Sequence, residues 1–370
     1  MSDVLDPLVF ATVIGARFFV PLLIPRFPLP AIIASLVLDA VDQTIFDTFT
    51  TRELENYQSY DKALDVYYLT IAYISTLRNW PAGPAFEVSR MLWYYRLVGV
   101  LLFELTGLRA ILLIFPNTFE YYFIFVELVR QRWNLSRLTW GPAIGAAAGI
   151  WVGIKLPQEY WIHVAQLDVT DTLRAYPWLL VPIGLVALGG WLAAPAVARR
   201  LPPRDHGVDL YLEAGPGYGA AVLPAGRSRA EHIVRSALVE KILLVSVVSV
   251  IFAQMLPVLD ATPGQVAGAV GFVVLTNALI ADSLARRGTP WFRWRIEFAT
   301  MAAINLGTAI VYIYLLQRQG GEIDLWLLVF FILLLTVIVV PFDRYHLERS
   351  QPEARPIEVP NPRGPAPAAS

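Results

Sequence analysis

Residues 325–340 read Leu-Trp-Leu-Leu-Val-Phe-Phe-Ile-Leu-Leu-Leu-Thr-Val-Ile-Val-Val, and no charged residue interrupts the run. About twenty such residues are needed to cross the hydrocarbon core of a bilayer as a helix, so a membrane-spanning helix is predicted over 323–342. Comparable runs recur along the chain. Of its 370 residues, 56% are hydrophobic and only 16% are charged, and the mean hydropathy is +0.54. These values predict a polytopic membrane protein.

The predicted fold class is all-α, an integral membrane helical bundle of about eleven transmembrane helices. The predicted spans are 8–25, 27–47, 61–79, 87–107, 110–130, 138–155, 177–198, 234–258, 264–285, 296–317 and 323–342. Phe115-Pro116-Asn117-Thr118 interrupts the fifth span, which is expected either to cross with a kink or to re-enter. The acidic N-terminus does not resemble a signal peptide, so we expect the first span to be retained. The absence of cysteine excludes disulfides and thiolate chemistry.

The basic residues predict the orientation of the chain. Lys and Arg concentrate in loops on the cytoplasmic side of membrane proteins, and this bias is strong after residue 199. We therefore expect an integral protein of the cell (inner or plasma) membrane with a cytoplasmic C-terminus. The predicted organisation is an N-terminal membrane bundle over 1–198, a hydrophilic loop over 199–232, a C-terminal four-helix bundle over 233–344 and a disordered proline-rich tail over 345–370.

Four aspartates form the most informative polar pattern. They are spaced as Asp39-x-x-Asp42 and Asp61-x-x-x-Asp65, so each pair shares one face of a helix. The polar segment between the pairs can return the chain to the same membrane surface, which would bring all four carboxylates to one depth. Four carboxylates without nearby His or Cys predict a site for a hard divalent ion, Mg²⁺ or Mn²⁺, with Ca²⁺ as a further possibility. The competing interpretation places them in headgroup water at helix ends.

The same segment resembles the CDP-alcohol phosphotransferases. That family carries Asp-x-x-Asp-Gly-x-x-Ala-Arg at the end of one span and Gly-x-x-x-Asp-x-x-x-Asp at the start of the next, and the four aspartates here fall in register with it. Arg17 and Pro21 in the preceding helix are also similar to the family pattern. The resemblance implies that all four aspartates bind metal and that Asp65 also acts as the base.

The chain departs from the family at the small residues and the arginine of the motif. In the family these positions belong to the nucleotide-binding side of the site, and here they are Gln43, Phe46, Asp47 and Tyr57. The resemblance therefore implies that the metal ligands remain while nucleotide recognition has changed. The family site faces the cytoplasm, whereas the alternation of predicted spans puts this cluster on the opposite side.

Other charged residues also fall inside or near the apolar runs, and we expect them to form ion pairs between helices. They are Arg17, Arg96, Glu104, Glu120, Glu127, Glu240, Lys241 and Asp282. The segment 155–171 contains Glu159 and His163 at i, i+4 spacing. It is predicted as an amphipathic helix at the membrane surface, and a metal or proton-relay site is the alternative.

Two classes of function are consistent with these patterns. The first is an integral membrane enzyme that uses divalent metal to transfer a phosphoryl or phosphoalcohol group on a lipid-soluble substrate. The second is a transporter or carrier whose intramembrane carboxylates bind a cation or protons. The expected partners are the lipid bilayer and a lipid-like substrate, and no nucleic acid.

Overall fold

The computed structural model describes residues 2–50, 57–161, 175–212 and 325–350, most of 240–252, and isolated positions at 165, 172, 303, 306, 307 and 310. No strand occurs among these residues, so the all-α prediction is confirmed for them. The α-helices are α1 Ser2–Phe19, α2 Pro28–Phe49, α3 Tyr57–Asn79, α4 Pro84–Thr106, α5 Ala110–Ile114, α6 Thr118–Arg130, α7 Trp140–Ile150, α8 Leu156–Glu159, α9 Leu180–Arg200 and α10 Leu325–Ser350. A π-helical turn, Trp151–Lys155, joins α7 to α8.

Among the residues that the structure describes, three helical segments are long and apolar enough to cross a membrane: Asp6–Leu23, Pro28–Phe46 and Ala110–Arg130. This agrees with a membrane protein but does not confirm eleven spans. Helices α3 and α4 have 23 residues each, but they are more polar than these three segments. Each of the two carries four charged residues. The predicted span 264–285 lies outside the described residues, and the span 296–317 is described only at isolated positions.

The predicted interruption of the fifth span is present. Helix α5 ends at Ile114 and α6 begins at Thr118, with Phe115 to Asn117 between them. Proline at 116 removes a backbone donor and disfavours the helical conformation of the residue before it. The combined segment Ala110–Arg130 is nevertheless long and apolar enough to span, which favours a kinked crossing over a re-entrant segment.

The basic loops lie together at one end of the bundle. The backbone N–H of Leu212 donates to the carbonyl of Arg26 at 2.8 Å. Asp205 accepts from Arg137 Nη2 at 2.5 Å. Near the same turn, Asn79 Nδ2 donates to the carbonyl of Pro25 at 3.2 Å. The turns that carry these residues therefore meet at one end of the bundle, which we call the basic end.

Helix α3 lies at the centre of the bundle. It packs against α1, α2, α4 and α10, and Tyr67, Tyr73 and Leu64 on it are fully buried. One continuous core contains residues of α1 to α4, α6 and α7 together with residues of 240–252 and α10. The described part of the predicted C-terminal bundle thus packs directly on the predicted N-terminal bundle. Helix α10 also continues to Ser350, so the predicted boundary of the tail at residue 345 is too early.

Gly99 marks a close approach between α4 and the break in the fifth span. A Cβ atom built on Gly99 would lie 2.1 Å from Cβ of Phe115. We expect Gly99→Ala to lower the free energy of unfolding by about 2 kcal/mol, because the extra methyl group overpacks this contact. Thermal unfolding of the detergent-solubilised protein measures the effect.

Gly145→Ala is the matched control, since a Cβ there has no neighbour within 4 Å. Alanine is the better helix former, so this variant is expected to be unchanged or slightly more stable, by less than about 1 kcal/mol. Equal melting temperatures for the two variants would show that the close contact at Gly99 is absent.

Candidate metal centre

Three helices supply the predicted site. Asp39 and Asp42 lie on one face of α2, and Asp61 and Asp65 lie on one face of α3. Helices α1, α2 and α3 pack against one another in all three pairings. These contacts direct both acidic faces toward Arg17 on α1, so the convergence predicted from the sequence is confirmed.

Arg17 makes an ion pair with each of the four carboxylates. Its Nη1 donates to Asp42 Oδ2 and to Asp61 Oδ1. Its Nη2 donates to Asp39 Oδ1 and, at 2.5 Å, to Asp65 Oδ1. Ionised, these five groups carry a formal charge of −3. Such an excess in an apolar bundle requires further cations, protons or water.

Burial divides the cluster into a floor and an opening. The side chains of Arg17 and Asp42 are each only 3% exposed. The side chains of Asp39, Asp61 and Asp65 are 27%, 36% and 43% exposed. A buried Arg17–Asp42 pair therefore lies beneath three carboxylates that a ligand can reach.

The three accessible carboxylates fit a single divalent ion. Asp39, Asp61 and Asp65 each offer one oxygen, and these oxygens lie within 4.8 Å of one another. Oxygens bound to one Mg²⁺ or Ca²⁺ lie at most about 4 to 5 Å apart, twice the metal–oxygen distance. Asp42 was also predicted as a ligand but lies outside this group, since it bonds to Arg17 and to the backbone N–H of Gln43. We expect it to hold Arg17.

Asp39, Asp42 and Asp65 lie about two turns or more inside their helices, whereas Asp61 lies about one turn from the start of α3. Asp39 is roughly 16 Å along α2 from Pro28, and Asp65 is roughly 21 Å along α3 from Asn79, at about 1.5 Å per residue. Helix α2 continues beyond Asp42 to Phe49, and α3 begins before Asp61 at Tyr57. The burial of Asp42 does not agree with its interpretation as an ordinary surface aspartate.

Aromatic side chains occupy the side of the cluster where the resembling family has small residues. Phe46 is buried, and its ring lies 6.2 Å from that of Phe10. The ring of Phe10 in turn lies 5.4 Å from that of Tyr60, and Tyr60 lies 4.9 Å from Phe330 on α10. Phe46, four residues after Asp42 on α2, therefore belongs to an aromatic group that joins α1, α2, α3 and α10.

A second buried polar network centres on Glu120, which is 3% exposed. It accepts hydrogen bonds from Tyr68 Oη at 2.6 Å and from Asn117 Nδ2 at 3.1 Å, and its carboxylate lies 3.4 Å from Lys155 Nζ. Tyr68 lies three residues after Asp65 on α3, so the two side chains are neighbours on one helix face. The Glu120 network is thus adjacent to the acidic cluster.

The predicted ion pairs between helices are confirmed for Arg17, Glu120 and Glu104. Glu127 instead pairs within α6, and Glu240 accepts from two tyrosines. Glu127 accepts from Trp80 Nε1 at 2.7 Å and from Arg130 Nε at 2.8 Å. Glu104 pairs with Lys62 at 3.4 Å. Glu240 accepts from Tyr94 at 3.1 Å and from Tyr73. Asp282 lies outside the described residues.

The prediction of a surface helix over 155–171 is wrong at its start. Lys155 and Glu159 are 3% and 5% exposed, because the π-helical turn and α8 continue α7 within the bundle. Glu159 accepts from the backbone N–H of Asn117 at 3.1 Å, at the break of the fifth span. The pairing of Glu159 with His163 stays untested, since His163 lies outside the described residues. Sequence analysis missed Tyr68 and Asn117, which have no distinguishing sequence signal.

Comparison with protein-family models, with curated proteins and with solved structures gives no match. The described part of the chain is therefore classified by its own fold and site. It is a helical bundle with segments long and apolar enough to span a membrane, built around an arginine that pairs with four carboxylates.

Proposed function

We propose that this chain is an integral membrane enzyme, with about eleven spans, that transfers a phosphoryl or phosphoalcohol group on a lipid-soluble substrate with the help of Mg²⁺ or Mn²⁺. The observation that supports it most is the group formed by Asp39, Asp61 and Asp65, whose oxygens lie within 4.8 Å of one another at an accessible opening. Hard oxygen ligands suit these ions.

The residues of the site have distinct roles in this proposal. Asp39, Asp61 and Asp65 would hold the ion, which when bound neutralises charge that develops on a phosphoryl group. Asp65 is the most exposed of the four carboxylates and is the best placed to take the proton of an attacking hydroxyl. Asp42 and Arg17 form the buried floor.

The aromatic wall beside the site supports a lipid-soluble substrate. Phe10, Phe46 and Tyr60 replace the open space that a nucleotide would need with apolar surface. An apolar wall next to metal-binding carboxylates suits a molecule with a polar head and a hydrocarbon body. The CDP group of the resembling family is therefore not part of the proposal.

The experiment that tests this proposal compares products with fluxes. Membranes with and without the expressed protein are analysed for lipid products that require Mn²⁺ or Mg²⁺, and the purified protein in liposomes is assayed for cation or proton flux. A metal-dependent lipid product without flux supports the enzyme. Flux without a new product supports the alternative function.

The alternative is a cation or proton carrier, and one observation favours it. Arg17 already occupies the position of a cation among the four carboxylates, and the adjacent Glu120 network contains a second buried cation, Lys155. Buried carboxylates that exchange one positive partner for another are typical of transport sites in membrane proteins.

Asp65→Asn separates the role of a base from that of a ligand. We expect turnover to fall by about 100-fold or more, because the amide does not accept a proton at neutral pH. Metal affinity should fall by a smaller factor than turnover, because turnover loses both a metal ligand and the base. Turnover and Mn²⁺ binding are measured on the same purified sample; equal losses in both would show that Asp65 acts only as a ligand.

The orientation proposed from the basic residues can be tested by cysteine labelling, because the chain contains no cysteine of its own. We expect Ser136→Cys and Ser370→Cys to react with a membrane-impermeant reagent only from the cytoplasmic side. Thr48→Cys, near the end of α2, should react from the opposite side. Labelling of Ser370→Cys in intact cells would contradict the proposed cytoplasmic C-terminus.

A further inference from the structure

The backbone of Arg17 is held in place by contacts between α1 and α3. The next residue, Phe18, accepts a hydrogen bond from Tyr67 Oη at 3.0 Å through its carbonyl, and the two rings stack at 5.5 Å. These contacts attach α1 to α3 at the level of the cluster. The position of the Arg17 backbone is therefore fixed, and only its side chain has freedom to change partners.

The partners of Arg17 fall into two groups. Asp39, Asp61 and Asp65 are the carboxylates that fit a divalent ion, and all three are partly exposed. Asp42 is buried and lies outside that group. A divalent ion and the guanidinium thus compete for the same three carboxylates, while Asp42 stays available to Arg17 in either case.

We propose that Arg17 is the anion-binding residue of this site, released for that role when a divalent ion takes Asp39, Asp61 and Asp65. The inference rests on the proposed function and adds the group that recognises the anionic part of the substrate. Without the ion, Arg17 is the internal counter-cation of the cluster. With the ion, Asp42 holds the guanidinium at the floor of the site.

Two physical reasons support this exchange. A buried guanidinium whose Nη2 has lost Asp39 and Asp65 needs new acceptors, because unsatisfied buried donors are costly. Phosphate oxygens suit its planar, forked geometry. In addition, a formal charge of −3 repels an anion until the ion has reduced it. Binding is therefore ordered, with the metal before the anion.

The test uses the full-length purified protein, with Mn²⁺ binding followed by electron paramagnetic resonance and inorganic phosphate as the anion. In the unaltered protein, saturating phosphate should tighten Mn²⁺ binding by about tenfold, since coupling between two ligands is reciprocal. In Arg17→Gln, Mn²⁺ without phosphate should bind about tenfold tighter because its competitor is gone, and the phosphate effect should vanish.

Two further variants complete the design. Arg17→Lys keeps one positive charge but lacks the planar fork, so Mn²⁺ binding should stay near that of the unaltered protein while most of the phosphate effect is lost. This variant decides the question if Arg17→Gln does not fold. Arg90→Gln is the matched control, because Arg90 pairs with Glu87 at the half-exposed start of α4, and neither measurement should change.

The outcomes separate this inference from the proposed function. If Mn²⁺ binding requires Asp39 but phosphate still tightens it in folded Arg17→Gln or Arg17→Lys, the role of Arg17 is wrong and the metal site stands. Mn²⁺ binding by Arg17→Gln that is unchanged or weaker would likewise overturn the competition. If the unaltered protein binds no Mn²⁺, both proposals fail.

Discussion

We expect Asp39→Asn and Asp61→Asn to abolish both Mn²⁺ binding and function while the protein still inserts into the membrane. Each change replaces a charged ligand with an amide oxygen, which is a weaker ligand and removes one of the charges that offset the ion. Loss of a residue that only hydrogen-bonds to a metal ligand costs about 10- to 100-fold in metal affinity or activity. Loss of a ligand should cost at least about 100-fold by the same measure.

The measurement is Mn²⁺ affinity of the purified variants, together with cell growth or lipid-product formation at membrane levels matched by blotting. Glu87→Gln serves as the control, because it also replaces a carboxylate with an amide, but at a surface i, i+3 pair with Arg90. It is expected to change stability by only about 0.5 kcal/mol and function not at all. Unchanged binding in both aspartate variants would remove the metal site.

The second large effect concerns stability. We expect Lys155→Met to lower the free energy of unfolding by about 3 kcal/mol, because it leaves the carboxylate of Glu120 buried without its cation. Lys155 and Glu120 are 4% and 3% exposed at their side chains, so solvent does not screen the loss. Methionine has a similar length, which keeps the lost packing small. Thermal or denaturant unfolding in detergent measures the change.

The double variant Lys155→Met/Glu120→Gln shows whether the loss is electrostatic. It removes both charges and leaves a neutral side chain whose single oxygen can still accept from Tyr68. Its stability should therefore recover by about 1 kcal/mol or more relative to Lys155→Met, as expected for residues in one network. A double variant that is less stable than Lys155→Met would show that packing, and not the buried charge, dominates.

Several features of the fold could be predicted from the sequence because they are local. The apolar runs predicted α1, α2, α10 and the fifth span, since hydrophobic length alone decides whether a helix can cross a bilayer. Pro116 predicted the break between α5 and α6 for an equally local reason. The i, i+3 and i, i+4 spacing of the aspartates predicted two acidic faces.

The environment of buried polar side chains was harder to predict from the sequence. Tyr68 and Lys155 lie in segments whose residues could equally face lipid, headgroups or protein, and nothing in their neighbours in sequence decides between these environments. The prediction for 155–171 failed for this reason: the same charged residues that indicate a membrane surface also fit a buried ion-pair network. Only the contacts of Lys155 with Glu120 distinguish the two.

The sequence by itself determined that the described part of the chain is helical, that it has segments long and apolar enough to span a membrane and that four aspartates lie on two helix faces. The tertiary structure alone decided that Arg17 joins all four, that Asp42 is buried with it and that only three carboxylates can share an ion. Arg17 and Asp65 are 48 residues apart, and Tyr68 and Glu120 are 52 apart. Hydropathy and helical spacing act over a few turns of one helix, whereas partners at these separations meet only through the packing of α1, α2, α3 and α6.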